Sequence, residues 1–199
     1  VRGHGQSPGP RGYIDRFTTY ISDLEAAQKQ ARALTTHGPL VLLGHSNGGL
    51  ITLAALVAGT KADAAVISSP FLALKLTVSP FKRLLGKIAS RLHPKLTLPA
   101  PLDVKALTSD PAKQQARRDD TLCFDIATAR WFTEAAAAQQ RVANGITTLA
   151  TPTLWLIGGA DQIANADVSE GIGKRAPKAV VHRLAGMQHE VFNEAERAG

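Results

Sequence analysis

The sequence predicts an α/β fold: a mostly parallel sheet with helices on both faces, interrupted by a mainly helical insertion. Two observations carry this. Short, nearly continuous apolar runs at 40–43, 64–70, 151–161 and 179–186 alternate with stretches of helical spacing, the pattern of strands buried on both faces. That rhythm breaks between about 72 and 140, where prolines and basic residues collect and no strand is evident. A chain of 199 residues, 44% hydrophobic and 20% charged, suits one domain carrying such an insertion.

Element by element, residues 1–12, "VRGHGQSPGPRG", read as a loop. Phe17, Tyr20, Ile21, Leu24, Ala27, Ala31 and Leu34 recur at helical spacing across 15–36. "THGP" breaks the helix, and Leu40 to Leu43 is a strand. Residues 48–58 are a small-residue apolar helix, and "AAVISSP" (64–70) is a strand halted by Pro70. Helices are expected at 80–92 and 124–141 inside the insertion. "TPTLWLIGGAD" is a strand running into glycines, 168–177 a short helix and "AVVHRLAG" a last strand. About five parallel strands are expected in all. The expected division is 1–71 core, 72–140 insertion over the sheet, and 141–199 core.

Composition narrows the function classes. No apolar run reaches the roughly 18 residues of a membrane span. Cys123 is the sole cysteine, which excludes an internal disulfide and a cysteine metal cluster and fits a reducing, cytoplasmic setting. The formal net charge of +7 matters only if it is localised. The chain opens without Met on turn chemistry and stops at "NEAERAG", which reads as the start of a helix. The expectation is a fragment truncated at both ends, in which a signal peptide cannot be tested.

The first chemical signal is Gly44-His45-Ser46-Asn47-Gly48, of the form G-x-S-x-G. A serine is a poor nucleophile unless a base reaches its proton. A sharp strand-to-helix turn lifts its oxygen above the sheet edge, and glycines two before and two after make room for strand and helix to approach. The helix start then aims free N–H groups at a developing oxyanion. Asp161 follows the strand "TLWLIGGAD" at its C-terminal end, the ligand edge of open α/β sheets. Its rival, Asp167, lies a turn further on. His189, in "AGMQHEVFNE", is the candidate base. His182 is expected inside a strand, pointing at a packed face; His4 and His37 precede the serine, His93 belongs to the insertion, and His45 is read as lining the turn. The order Ser, Asp, His is that of α/β hydrolases.

"RGHGQSPGPRGYIDRFTTYISDL", "LLGHSNGG", "SSPF", "LWLIGGADQIA" and "QHEVFNEAER" resemble the monoacylglycerol lipase / lysophospholipase branch of the α/β hydrolases, also described as serine aminopeptidase S33-type hydrolases. The resemblance spans nearly the whole chain and matches the family's cap most loosely at 72–140. It implies an α/β-hydrolase fold, Ser46 as nucleophile, Asp161 as acid, His189 as base and the Asn47 backbone N–H as half of the oxyanion hole. It implies no cofactor and no metal, and a lipid ester with one acyl chain as substrate. By the same comparison the first strands and the His-Gly loop that carries the second oxyanion donor are absent, so the fragment alone is expected to be inactive.

Two other classes remain as alternatives: an inactive hydrolase fold used for binding, and hydrolysis of other esters or peptides. Nucleic-acid binding has no recognised motif behind it. The basic charge is concentrated: ten Lys and Arg from Lys75 to Arg118 stand against Asp103 and Asp110. In "PFKRLLGKIASRLH", Phe81, Leu84, Leu85, Ile88 and Leu92 share one helical face, with Lys82, Arg83, Lys87 and Arg91 largely on another. The apolar face either packs within the cap, lines an acyl pocket, or lies on an anionic lipid surface.

Overall fold

The four apolar runs all become strands of one parallel sheet. In chain order the elements of this computed structural model are α1 (Phe17–Leu34), β1 (Val41–His45), α2 (Asn47–Val57), β2 (Ala64–Ser68), α3 (Pro80–Leu92), β3 (Thr97–Pro99), α4 (Val104–Leu107), α5 (Pro111–Asp119), β4 (Ile126–Thr128), α6 (Ala129–Gly145), β5 (Thr153–Gly158), α7 (Ala166–Gly173) and β6 (Ala179–Leu184), with 3₁₀ turns at Ile146–Thr148 and Val191–Asn193. The structure describes residues 1–35 and 37–195; the predicted helical position Thr36 and most of the "NEAERAG" helix start lie outside them.

The sheet order is β1-β2-β5-β6, four parallel strands among the described residues where about five were expected. Gly44, Ile67, Trp155 and Val181 lie side by side in its register, so they share a face. Against that face pack α2 and α7. A Cβ on Gly44 would meet Thr52 of α2, and one on Gly173 of α7 would meet Trp155 and Val181. Trp155 and Ile67 are fully buried there, each such side chain contributing about 1.5–3 kcal/mol. The other face carries Leu43, Val66, Leu154 and Val180 in register. Leu43 is 64% exposed and Val180 55% exposed. Helix α1 stacks on α2 and α6 and adds Phe17 and Tyr20 to the core. Its first turn has no cap of its own; Glu134 of α6 accepts from the Phe17 N–H at 2.8 Å, meeting one of the amides a helix start leaves open.

Residues 72–140 depart from expectation in two ways. They contain a short antiparallel pair, β3 with β4, which three-residue strands ending at Pro99 and Thr128 are too brief to announce by alternation. Helix α6 starts at Ala129, not 124, because 126–128 join that pair and Thr128 caps the helix by accepting from the Trp131 N–H. It runs on to Gly145 and buries Ala135, Ala138 and Val142 in the main core.

Helix α3 starts as its sequence requires, with Ser79 as cap and Pro80 in the first turn. It packs on α6 through its small residues: Ser90 Oγ lies 2.7 Å from Thr133 Oγ1, and Arg130 donates to the Ser90 carbonyl at 2.8 Å. The large apolar stripe is therefore left outside, Phe81 at 68% and Leu92 at 70% exposure, with Leu84, Leu85 and Ile88 also exposed. Of the readings for that stripe, packing against the rest of 72–140 is not seen among the described residues. No helix among the described residues is long and apolar enough to cross a membrane.

Candidate active site

Strand β1 ends at His45 and α2 begins at Asn47, so Ser46 alone makes the turn, at φ 51° and ψ −117°. A non-glycine residue held at positive φ stores about 1–3 kcal/mol, which the surroundings must enforce. They do so by hydrogen bonds: the Ser46 N–H donates to Ser68 O at 3.0 Å, and the Phe71 N–H donates to Ser46 O at 3.0 Å. The close approach of strand and helix falls on Gly44, where a Cβ would lie 2.6 Å from Gly48 O and Thr52 Oγ1. The second crowded glycine is Gly49, 3.0 Å from Pro70, whereas nothing stands within 4 Å of a Cβ on Gly48. The steric need assigned to Gly48 by the motif thus belongs to its neighbour, because α2 leans against the loop after β2. Ser69 in that loop also has positive φ, 37°, a strain no sequence signal announced.

Asn47 occupies the first position of α2, where helix geometry gives its backbone N–H no intrahelical acceptor. Its side-chain Oδ1 is buried without a hydrogen-bond partner among the described residues.

Asp161 sits just beyond β5, where its Oδ1 accepts from the Ile163 and Ala164 N–H groups at 2.8 and 2.9 Å. That fixes the carboxylate and turns Oδ2 toward His189 Nδ1, 2.7 Å away. Both residues are almost fully buried, 3% and 2% exposed. The glycines of "LIGGAD" make this possible. A Cβ on Gly158 would lie 2.1 Å from Gln188 O, and one on Gly159 2.9 Å from Leu184 O, so the histidine loop crosses directly over the end of β5. The Ala160 N–H seals the crossing to Met187 O at 3.0 Å.

His45 connects this pair to the turn. Its ring stands 4.8 Å from the His189 ring, and its Nδ1 is 3.1 Å from Ser68 Oγ. Burial, reinforced by His189 nearby, lowers the His45 pKa to about 4, so the ring is neutral near pH 7. Thus Asp161 and His189 are hydrogen-bonded, and the ring of His45, the residue before Ser46, packs against that of His189. No hydrogen bond joins Ser46 Oγ to the His189 ring among the described residues.

The rival residues are elsewhere. Asp167 is engaged by Arg183 at 2.6 Å on the surface. His182 is exposed on β6 rather than pointing at a packed face, since it lies on the face of the sheet that α2 and α7 leave open. His4 packs at a tilt against Phe124, 5.2 Å between centroids, and His93 ends α3. Sequence reasoning missed the contacts from α4 and its following residues: the His189 N–H reaches Ala106 O and the Glu190 N–H reaches Leu107 O at 2.7 Å. No spacing signal links segments so far apart.

The family described as "Serine aminopeptidase, S33" matches residues 1–196. Phospholipase YtpA of Bacillus subtilis is 26% identical over 200 residues, which cover 98% of this chain and 76% of that protein. Human monoglyceride lipase is 30% identical over 178 residues, covering 82% of this chain and 55% of that protein. The crystal structure of Paleococcus ferrophilus monoacylglycerol lipase superposes with a TM-score of 0.84 at 26% identity, over 98% of this chain and 75% of that one. The chain spans about half of the human relative's length and about three quarters of the bacterial one's. With a parallel sheet, a serine on a strained turn at its edge and a match along almost its whole length, the chain belongs to the serine aminopeptidase S33 family of α/β hydrolases.

Proposed function

We propose that this chain carries the catalytic residues of a serine hydrolase for carboxylic esters, with monoacylglycerols or lysophospholipids as the substrate class. The observation that carries the reading is the buried 2.7 Å pair of Asp161 and His189 beside a serine held at φ 51°. His189 Nε2 accepts the proton of Ser46 Oγ as the oxygen attacks the acyl carbonyl. Asp161 holds the imidazole with its proton on Nδ1 and stabilises the imidazolium. The carbonyl oxygen, now negative, is met by the Asn47 N–H at the start of α2. His189 then returns the proton to the leaving alcohol, and water repeats the sequence on the acyl-serine to free the acid. The similarity to the Bacillus subtilis phospholipase YtpA and to human monoglyceride lipase supports the lipid substrate class.

In this reading, residues 72–140 act as a cap over the site, and its α3 makes peripheral contact with anionic lipid. The exposed stripe of Phe81, Leu84, Leu85, Ile88 and Leu92, with Lys82, Arg83, Lys87 and Arg91 beside it, supports that contact.

In the full-length parent protein, a fluorophosphonate probe is expected to label Ser46, and Ser46→Ala to abolish both labelling and ester hydrolysis. Labelling that survives the substitution moves the nucleophile elsewhere. Fatty-acid release from a monoacylglycerol and a lysophosphatidylcholine, set against cleavage of an aminoacyl amide, ranks the substrate classes. Absence of turnover and labelling with an intact fold leaves the binding-protein alternative.

A further inference from the structure

Glu194 is a buried acid, 2% exposed, five residues beyond the histidine and outside the proposed proton path. Donors from two separate parts of the chain reach it. From the histidine loop, the Gln188 N–H reaches Oε1 at 2.8 Å. From the insertion, the Ser109 N–H reaches the two oxygens at 3.1 and 3.2 Å, and the Ser109 hydroxyl donates to Oε2. Around this carboxyl the two segments run along each other. The His189 N–H donates to Ala106 O, the Glu190 N–H to Leu107 O, and Thr108 Oγ1 to Asn193 O at 2.8 Å. The insertion segment 106–109 therefore forms one wall of the loop that holds the imidazole, and the Glu194 carboxyl spans that seam.

We infer that Glu194 is a positioning residue: it clamps the His189 loop to the insertion so that the imidazole is held at the distance Ser46 needs. The inference rests on His189 being the base of the proposed reaction. It has a physical basis in Gln188. That residue is the immediate neighbour of His189, its backbone oxygen is pressed against Gly158, and its N–H is held by Glu194. A loop gripped from both sides at the position before the histidine has little freedom to drift. Without the carboxyl, the Gln188 N–H and both Ser109 donors lose this acceptor, and the seam to the insertion is left with its contacts at 106–108.

The test compares Glu194→Ala, Glu194→Asp, Glu194→Gln and His189→Ala in the full-length parent protein by thermal melting and by kcat and KM on a soluble ester. Assays run well below the lowest melting temperature, so every molecule counted is folded. Glu194→Ala and Glu194→Asp are expected to lower kcat about 10- to 100-fold with KM changed less than about threefold, since an ångström of misplacement has that cost. Glu194→Gln is expected to recover most of the rate: its carbonyl oxygen can take the place of Oε1, and the Ser109 hydroxyl can turn to accept from its amide. A folded Glu194→Ala or Glu194→Asp protein with kcat within about threefold of the parent overturns the inference. If Glu194→Ala does not fold, Glu194→Asp, which only shortens the reach, decides alone. A Glu194→Gln protein as slow as Glu194→Ala also overturns it. Activity retained by His189→Ala instead overturns the assignment of the base, which separates the two failures.

Discussion

Replacing Gly158 with alanine adds one methyl group at the most crowded point of the site. The new Cβ would stand 2.1 Å from Gln188 O and 2.9 Å from both Gln188 C and Met187 O, where ordinary contact begins at 3.4 Å. The crossing must therefore open by 3.4 − 2.1, about 1.3 Å. The obstacle is backbone, so no side chain can swing away. Either the end of β5 retreats, which strains its register with β2 and β6, or residues 187–189 lift and carry the imidazole with them. Overpacking of this kind costs about 1–3 kcal/mol of stability. For a chain of this size that is roughly 2–4 °C of melting temperature per kcal/mol. A shift of about an ångström at His189 is expected to lower kcat on the order of 100-fold. Calorimetry and ester hydrolysis measured on the same preparations read both effects. An alanine variant that melts with the parent and turns over within about threefold of it refutes the reasoning, because the loop would then have absorbed the methyl group at no cost to the imidazole.

Ser46→Gly should be more stable than Ser46→Ala by about 1 kcal/mol and melt at a higher temperature, since glycine accepts φ 51° without strain while alanine does not; equal melting temperatures show the turn to be unstrained. Acid stability should fall with a signature from His45. Its folded pKa of about 4 lies below the ordinary 6.5, so between those values the unfolded chain takes up a proton that the folded one refuses. Stability is thus lost as pH falls through that window, by up to roughly 3 kcal/mol. His45→Gln should flatten this part of the melting-temperature profile, and a parallel fall in both proteins rejects the assignment. Lys82, Arg83, Lys87 and Arg91 changed together to Gln should weaken sedimentation with anionic vesicles at low salt and leave neutral vesicles unaffected, each basic charge contributing about 1 kcal/mol. Equal binding by both proteins to anionic vesicles dismisses the lipid contact.

Local chemistry made much of this molecule legible in advance. The strands at 41–45, 64–68, 153–158 and 179–184 announced themselves as apolar runs, and α3 as a cap, a first-turn proline and an apolar stripe. The turn at Ser46 followed from its glycines, although the crowded one on the helix side is Gly49. What stayed hidden depends on contacts between distant segments. The three-residue pairing of β3 with β4 leaves no periodicity to read. The α1 start is capped by Glu134, more than a hundred residues away, and the seam at Glu194 joins two segments 85 positions apart. The face on which α3 rests was also beyond prediction. A wheel identifies its apolar side, but only the fold shows that the small residues around Ser90 are the ones set against α6.

Strands β2 and β5 are hydrogen-bonded neighbours, Ala65 opposite Thr153, although residues 69–152 separate them in the chain. To the sheet, that whole excursion is a detour that leaves and returns at one seam. Its length and content are free to change while the strands that carry the serine and the acid keep their register. Helix α6 sets the limit, since Ala135, Ala138 and Val142 belong to the main core, so the part open to exchange ends before it. A graft of another cap between the loop after β2 and the start of α6 would change which molecules reach the site without rebuilding it. Recombination among relatives could alter specificity by the same route, provided each donor reproduced the 106–109 wall of the histidine loop, the contacts of 73–75 with 163–165 and those of Thr128 with Gly12.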